Sequence, residues 1–66
     1  MNITLNGDAF ELDKGSKLID LIAHLDLAGK RYAIEVNEEI IVRSEHETFA
    51  ISTGDCVEVV QAIGGG

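Results

Sequence analysis

Met1, Ile3 and Leu5 alternate with Asn2, Thr4 and Asn6 at the start of the chain. A period of two marks a strand with one face buried. Asn6-Gly7-Asp8 follows. Asparagine and glycine tolerate positive φ, so this tripeptide predicts a tight hairpin turn. Phe10 and Leu12 continue the alternation on a second strand, and Asp13-Lys14-Gly15 ends it. Leu18, Leu21, Ile22 and Leu25 then fall at i, i+3, i+4 and i+7, the stripe of an amphipathic helix. Ser16 is placed to cap that helix and Asp20 suits its first turns. Gly29 suits its stop, which leaves Lys30 and Arg31 at the negative end of the helix dipole.

Tyr32, Ile34 and Val36 alternate with Ala33, Glu35 and Asn37 on a third strand. Asn37-Glu38-Glu39 turns the chain into a short fourth strand, Ile40-Ile41-Val42. Arg43 to Thr48 is polar and reads as irregular or as a single helical turn, and Phe49 and Ile51 return to the core. Ser52-Thr53-Gly54-Asp55 is a turn before the last strand, Cys56 to Ala62. There Val57 and Val59 share one face, and Glu58, Val60 and Ala62 the other.

The order ββαββ, with a short irregular stretch before the final strand, predicts a two-layer α+β domain. One main helix packs on one face of a mixed sheet of four to five strands. This is the β-grasp, or ubiquitin-like, arrangement. It implies a domain over residues 1–62 and a flexible glycine tail over 63–66. The other face of the sheet is left uncovered. Glu58, Val60 and Ala62, with Ile63 following, form a partner surface there, because an exposed apolar strip on so small a protein marks a contact.

Composition narrows the function. Five basic against twelve acidic residues give a net charge of −7. Such a chain repels phosphate backbones and anionic headgroups, so nucleic acid and membrane are excluded as partners. Apolar residues make up 45%, too many for a disordered chain. No apolar run reaches the length of a membrane span and no secretory signal is present, so a soluble cytoplasmic domain is expected. The single cysteine, Cys56, excludes an internal disulfide and a cysteine-ligated cluster or zinc ribbon within one chain. A domain of 66 residues folds on its core alone and has little left to build a deep pocket. A carrier, adaptor or subunit is expected rather than an enzyme. Acids concentrate in residues 32–66, which hold seven of them against Arg43 alone. That half is either a solvated surface or one that meets a basic partner.

The chain ends in Ile63-Gly64-Gly65-Gly66. The segment reads either as a frayed terminus or as a group-delivering tail. On the second reading, the preceding strand aims the tail, and glycine lets a narrow channel close round the backbone. Four residues past Ala62 reach at most about 14 Å, enough to enter a neighbouring active site. The delivered group is the carboxylate of Gly66, a poor electrophile that needs activation, most simply as an acyl-adenylate made from ATP. No P-loop or Walker lysine is encoded, so a partner supplies that chemistry.

Over essentially the whole chain the sequence resembles the ThiS family of thiamine-biosynthesis sulfur carriers. The residues that carry the resemblance are Met1-Asn2-Ile3-Thr4-Leu5-Asn6-Gly7, the Leu18/Leu21/Ile22/Leu25 helix and the Ala33-to-Asn37 strand. Ile41-Val42-Arg43, Gly54-Asp55 and the glycine terminus complete it. The resemblance implies that an E1-like adenylyltransferase (ThiF type) adenylates Gly66 with Mg·ATP. Sulfur drawn from cysteine through a desulfurase then replaces AMP and leaves a thiocarboxylate. Thiazole synthase (ThiG type) takes that sulfur into the thiazole ring, with deoxyxylulose phosphate as co-substrate. The chain binds no cofactor of its own, and Gly64, Gly65 and Gly66 enter the partner's active site. It is a co-substrate without turnover.

Other residues read as structural. Cys56 is expected to be a small buried residue at a strand start rather than a persulfide acceptor. Glu45-His46-Glu47 has metal-ligand residue types, but neither a strand nor a helix brings all three together, and no metal site is expected. Ser16, Ser44 and Ser52 have no recognisable base, and Tyr32 and Phe49 read as core or rim residues. Three rival functions share the pattern: the small subunit of molybdopterin synthase, a ubiquitin-like modifier and a plain interaction module. An acyl carrier protein needs a serine at a helix start in an all-helical chain, and a ferredoxin needs more cysteines.

Overall fold

The computed structural model describes residues 1–61. Strands β1 (Asn2–Leu5) and β2 (Asp8–Glu11) form an antiparallel hairpin in which Leu5 faces Asp8 and Asn2 faces Glu11. Its two-residue turn has φ of 51° at Asn6 and 86° at Gly7. Positive φ at both turn residues matches the twist of the flanking strands, which explains the Asn-Gly pair.

Helix α1 covers Leu18–His24, and its stripe buries Leu18, Leu21 and Ile22 completely. Its start differs from the expected one. Ser16 does not cap it. The Ser16 hydroxyl donates to the Asp13 carbonyl at 2.6 Å in the preceding turn, and Lys17 takes the cap position. The first amides are satisfied from a distant loop: Leu18 N–H donates to the Phe49 carbonyl at 3.1 Å and Ile19 N–H to the His46 carbonyl at 3.0 Å. Asp20 closes the turn by accepting the Lys17 N–H at 2.8 Å.

The helix also stops before Gly29. Asp26, with φ of 58°, reverses the chain. Its N–H donates to the Ala23 carbonyl and the Leu27 N–H to the Ile22 carbonyl, both at 3.1 Å. This is a Schellman closure with aspartate in the left-handed position usually held by glycine. The early stop brings Leu27 into the core beside Ile22. Lys30 and Arg31 therefore lie beyond the last helical turn and lead into the sheet instead of sitting on the helix dipole.

Strands β3 (Tyr32–Val36) and β4 (Glu39–Ile41) form a second hairpin. Its turn is only Asn37-Glu38, with φ of 51° and 71°, so Glu39 pairs with Val36 and β4 starts one residue earlier than the apolar run suggests. A single 3-10 turn, Arg43–Glu45, follows. Strand β5 (Cys56–Gln61) runs parallel to β1 and antiparallel to β3, giving the order β2-β1-β5-β3-β4.

The five-stranded mixed sheet with one helix across it is the expected β-grasp. Ile3, Ile34, Val36, Ile41, Val57 and Val59 face the helix and complete one core with Leu12, Leu27 and Ile51. Among the described residues no helix is long and apolar enough to cross a membrane. The expected domain boundary after Ala62 and the tail 63–66 lie outside the described residues.

Candidate functional site

Strand β5 has neighbours on both sides, and side chains extend its grip past the end of β1. Asn6 Oδ1 accepts the Val59 N–H at 2.8 Å, and Asn6 Nδ2 donates to the Val59 carbonyl at 3.2 Å. At the other end, Asn37 Oδ1 accepts the Cys56 N–H at 2.9 Å and Nδ2 donates to Asp55 Oδ1 at 3.1 Å. Both asparagines were legible as turn residues, but not as clamps. Their partners are 53 and 19 positions away. The result is a β5 held in register up to Gln61, from which the chain continues into residues 62–66.

Alternation along β5 divides its side chains as expected. Val57 and Val59 are buried; Glu58 and Val60 are exposed on the face away from the helix. Register assigns their neighbours on that face: Val60 lies opposite Ala33, and Glu58 opposite Glu35, which in turn lies opposite Ile40. Val60 is 65% exposed, Ile40 72%, and Val42, just past β4, 55%. For large aliphatic residues these are high values, and on one small sheet they make an apolar patch. The patch surrounds two carboxylates placed directly opposite each other, an unfavourable cross-strand pair. Ala62 and Ile63, the other two expected partner-surface residues, lie outside the described residues, as do Gly64, Gly65 and Gly66.

Cys56 is exposed, contrary to the expectation that it is buried. The reason is parity: it shares a face with Glu58 and Val60, while Val57 takes the inward position. Glu45, His46 and Glu47 part company. His46 is buried, with Nε2 2.8 Å from the Ile41 carbonyl oxygen, whereas both glutamates are exposed. Among the described residues no three His, Cys, Asp or Glu side chains are placed to hold a metal ion.

Tyr32 and Phe49 are half-buried at the edge of the core, as expected. Tyr32 also stacks on His46 with centroids 5.7 Å apart, and the Arg43 guanidinium carbon lies 4.3 Å from its ring centre. A shallow depression between β2 and α1 is lined by Glu11, Asp13, Ser16, Asp20 and His24. Its Asp20 carboxylate is engaged with the Lys17 N–H, and His24 packs edge-on to Phe10 at 5.5 Å. Among the described residues, the exposed apolar side chains of the sheet gather on the outward face of β5 and its neighbours.

Comparison with known proteins identifies the family. Residues 3–66 match the ThiS family. The chain is 33% identical over 66 residues to a protein named thiazole synthase from Magnetococcus marinus, and it spans about one fifth of that protein's length. It is 34% identical over 67 residues to the uncharacterized protein ycf40 of Porphyra purpurea, covering 93% of it. The crystal structure of a thiamine biosynthesis protein, ThiS, from Geobacter metallireducens superposes with a TM-score of 0.83 at 29% identity, with both chains fully covered. A family match over nearly every residue, together with a shared five-stranded sheet and single helix, places this chain in the ThiS family of ubiquitin-like β-grasp proteins.

Proposed function

We propose that the chain is a sulfur carrier in thiamine biosynthesis and that it acts through the carboxylate of Gly66. The observation that carries this reading is the strand leading to the tail. β5 is bonded on one side to β1, on the other to β3, and at Val59 to Asn6. Gln61 ends that strand at a fixed point, so little ordering of the strand itself is needed when a partner takes in the residues that follow. Glycine at the last three positions removes the side chains that would obstruct a narrow channel.

The chemistry follows from the carboxylate. An E1-like adenylyltransferase of the ThiF type joins Gly66 to AMP from Mg·ATP and releases pyrophosphate. Sulfur supplied from cysteine as a desulfurase persulfide attacks the adenylate carbonyl and displaces AMP, and a second thiol cleaves the resulting S–S bond, leaving a thiocarboxylate on Gly66 and a disulfide on the donor. A thiazole synthase of the ThiG type then takes the sulfur, and Gly66 returns as a carboxylate. ATP and Mg belong to the activating enzyme. The chain is consumed and recharged, and has no turnover of its own. The partners cover the outward face at Glu58 and Val60, with Ala33, Ile40 and Val42 completing the apolar patch, and also contact Ala62 and Ile63. The similarity of this chain to one fifth of a protein named thiazole synthase supports that partner, since a carrier joined to its acceptor works at high effective concentration.

The test is the mass of the intact protein from sulfur-replete cells, followed by fragmentation. One oxygen exchanged for sulfur at Gly66 is expected, and localisation separates it from oxidation at Met1 or Cys56. An unmodified Gly66 after incubation with ATP, the adenylyltransferase and a sulfur source would refute the reading. Deleting Gly66 is expected to abolish adenylation with the fold intact.

A further inference from the structure

We infer that Lys30, Arg31 and Arg43 form a basic collar at the root of the tail, and that this collar receives an acidic surface on the protein that takes the tail in. The inference rests on the carrier reading.

The chain has five basic residues. Lys14 and Lys17 precede the helix; the other three meet at one end of the sheet. Tyr32 opens β3 and is paired with Gln61, so Lys30 and Arg31, directly before Tyr32, lie at the level where the chain leaves β5. Arg43 arrives there from the 3-10 turn. Its Nη2 donates to the Lys30 carbonyl at 2.9 Å, and its guanidinium lies over the Tyr32 ring. All three are exposed.

The opposite end of the same strands is acidic. Glu38 and Glu39 stand at the β3–β4 turn, and Asp55 is tied to Asn37 beside it. Glu35 and Glu58 lie between the two ends. Charge along β3 and β5 therefore runs from acidic at the hairpin to basic where the tail begins. The separation is the length of a six-residue strand, about 17–20 Å at about 3.3 Å per residue. This exceeds the Debye length of about 8 Å at physiological ionic strength. A surface approaching the tail root thus meets the collar rather than the net charge of −7.

The chemistry of the collar selects its partner. A guanidinium presents a planar fork that matches a carboxylate. Arg43 is already held by Tyr32 and the Lys30 carbonyl, so little side-chain freedom is lost on binding. Carboxylates around the channel that admits the tail fit this arrangement; basic groups there would be repelled.

The test is ATP–pyrophosphate exchange by the purified ThiF-type adenylyltransferase of the same organism, with the full chain as the varied substrate. Lys30→Glu and Arg31→Glu are compared with Lys14→Glu and Lys17→Glu, which alter net charge equally at the helix end. The collar variants are expected to lower kcat/KM about tenfold at low salt with kcat retained, and to approach wild type near about 0.5 M salt. The control variants stay within about twofold of wild type. The milder pair Lys30→Gln with Arg31→Gln, checked by circular dichroism, reproduces the direction without charge reversal. Equal losses in both sets, or a gain in the collar variants, overturn the inference alone. No exchange with the wild-type chain overturns the carrier reading and the inference with it.

Discussion

Replacing Asn6 by glycine separates two roles that one residue combines. At φ of 51° the backbone of Asn6 is in the left-handed region, where glycine is at least as comfortable as asparagine. If Asn6 were only a turn residue, Asn6→Gly would leave stability unchanged or slightly raised. The structure says otherwise. The Asn6 amide makes two hydrogen bonds to the main chain of Val59, at 2.8 and 3.2 Å, in a part-buried position. Each such bond contributes about 0.5–1.5 kcal/mol net. Losing both costs about 1–3 kcal/mol, and backbone relief returns a few tenths, so a loss of about 1–2.5 kcal/mol is expected. For a domain of this size that lowers Tm by roughly 7–18 °C. Urea unfolding followed by far-ultraviolet circular dichroism measures the loss, and hydrogen exchange locates it at the Val59 amide. Unchanged stability together with an unchanged Val59 exchange rate would show that the clamp has no energetic role.

Three further outcomes follow from the geometry. Glu38→Gly relieves a φ of 71° that a side chain tolerates poorly and is expected to stabilise by about 0.5–1 kcal/mol; Glu38→Ala, which removes the carboxylate but keeps the Cβ, should not, and equal unfolding midpoints for the two variants refute the strain argument. Glu58→Gln removes a like-charge pair with Glu35 and is expected to stabilise by about 0.2–1 kcal/mol at low salt, an increment that vanishes in high-salt melts. Cys56 is exposed and is expected to react fully with a thiol reagent in the native protein, while Cys56→Ala keeps sulfur loading at Gly66; a folded Cys56→Ala chain that cannot be loaded would give the thiol a chemical role.

Much of the fold was legible because it depends on local rules. Period-two segments became β1, β3 and β5, the Asn6-Gly7 turn formed as expected, and the Leu18/Leu21/Ile22 stripe faced the core. The misreadings have a common cause in contacts from afar. Ser16 is a good local cap, yet carbonyls of His46 and Phe49 supply the acceptors, so the helix does not need its hydroxyl. Gly29 is a good local stop, yet burial of Leu27 makes Asp26 the turning point. Cys56 was a failure of a different kind. Its residue type favours burial, but the parity of its strand already put it beside Glu58, and parity won. At the candidate site, the outward positions of Glu58 and Val60 followed from alternation. Glu35, Ile40 and Ala33 joined them only through strand order, which no local pattern encodes. Arg43, placed by a stretch that reads as irregular, reached Tyr32 only through the tertiary fold.

The central position of β5 also sets how the domain bears mechanical load. A pull applied at Gln61 along the strand axis acts across hydrogen bonds to β1 and β3 at once. Those bonds share the load in shear. An edge strand such as β4, bonded on one side only, would instead peel from its partner one bond after another. Forced unfolding is governed by the unfolding barrier rather than by equilibrium stability. A protein of modest size can therefore resist traction at this one point out of proportion to its core. An unfolding motor that seizes the glycine end must extract the middle of the sheet first.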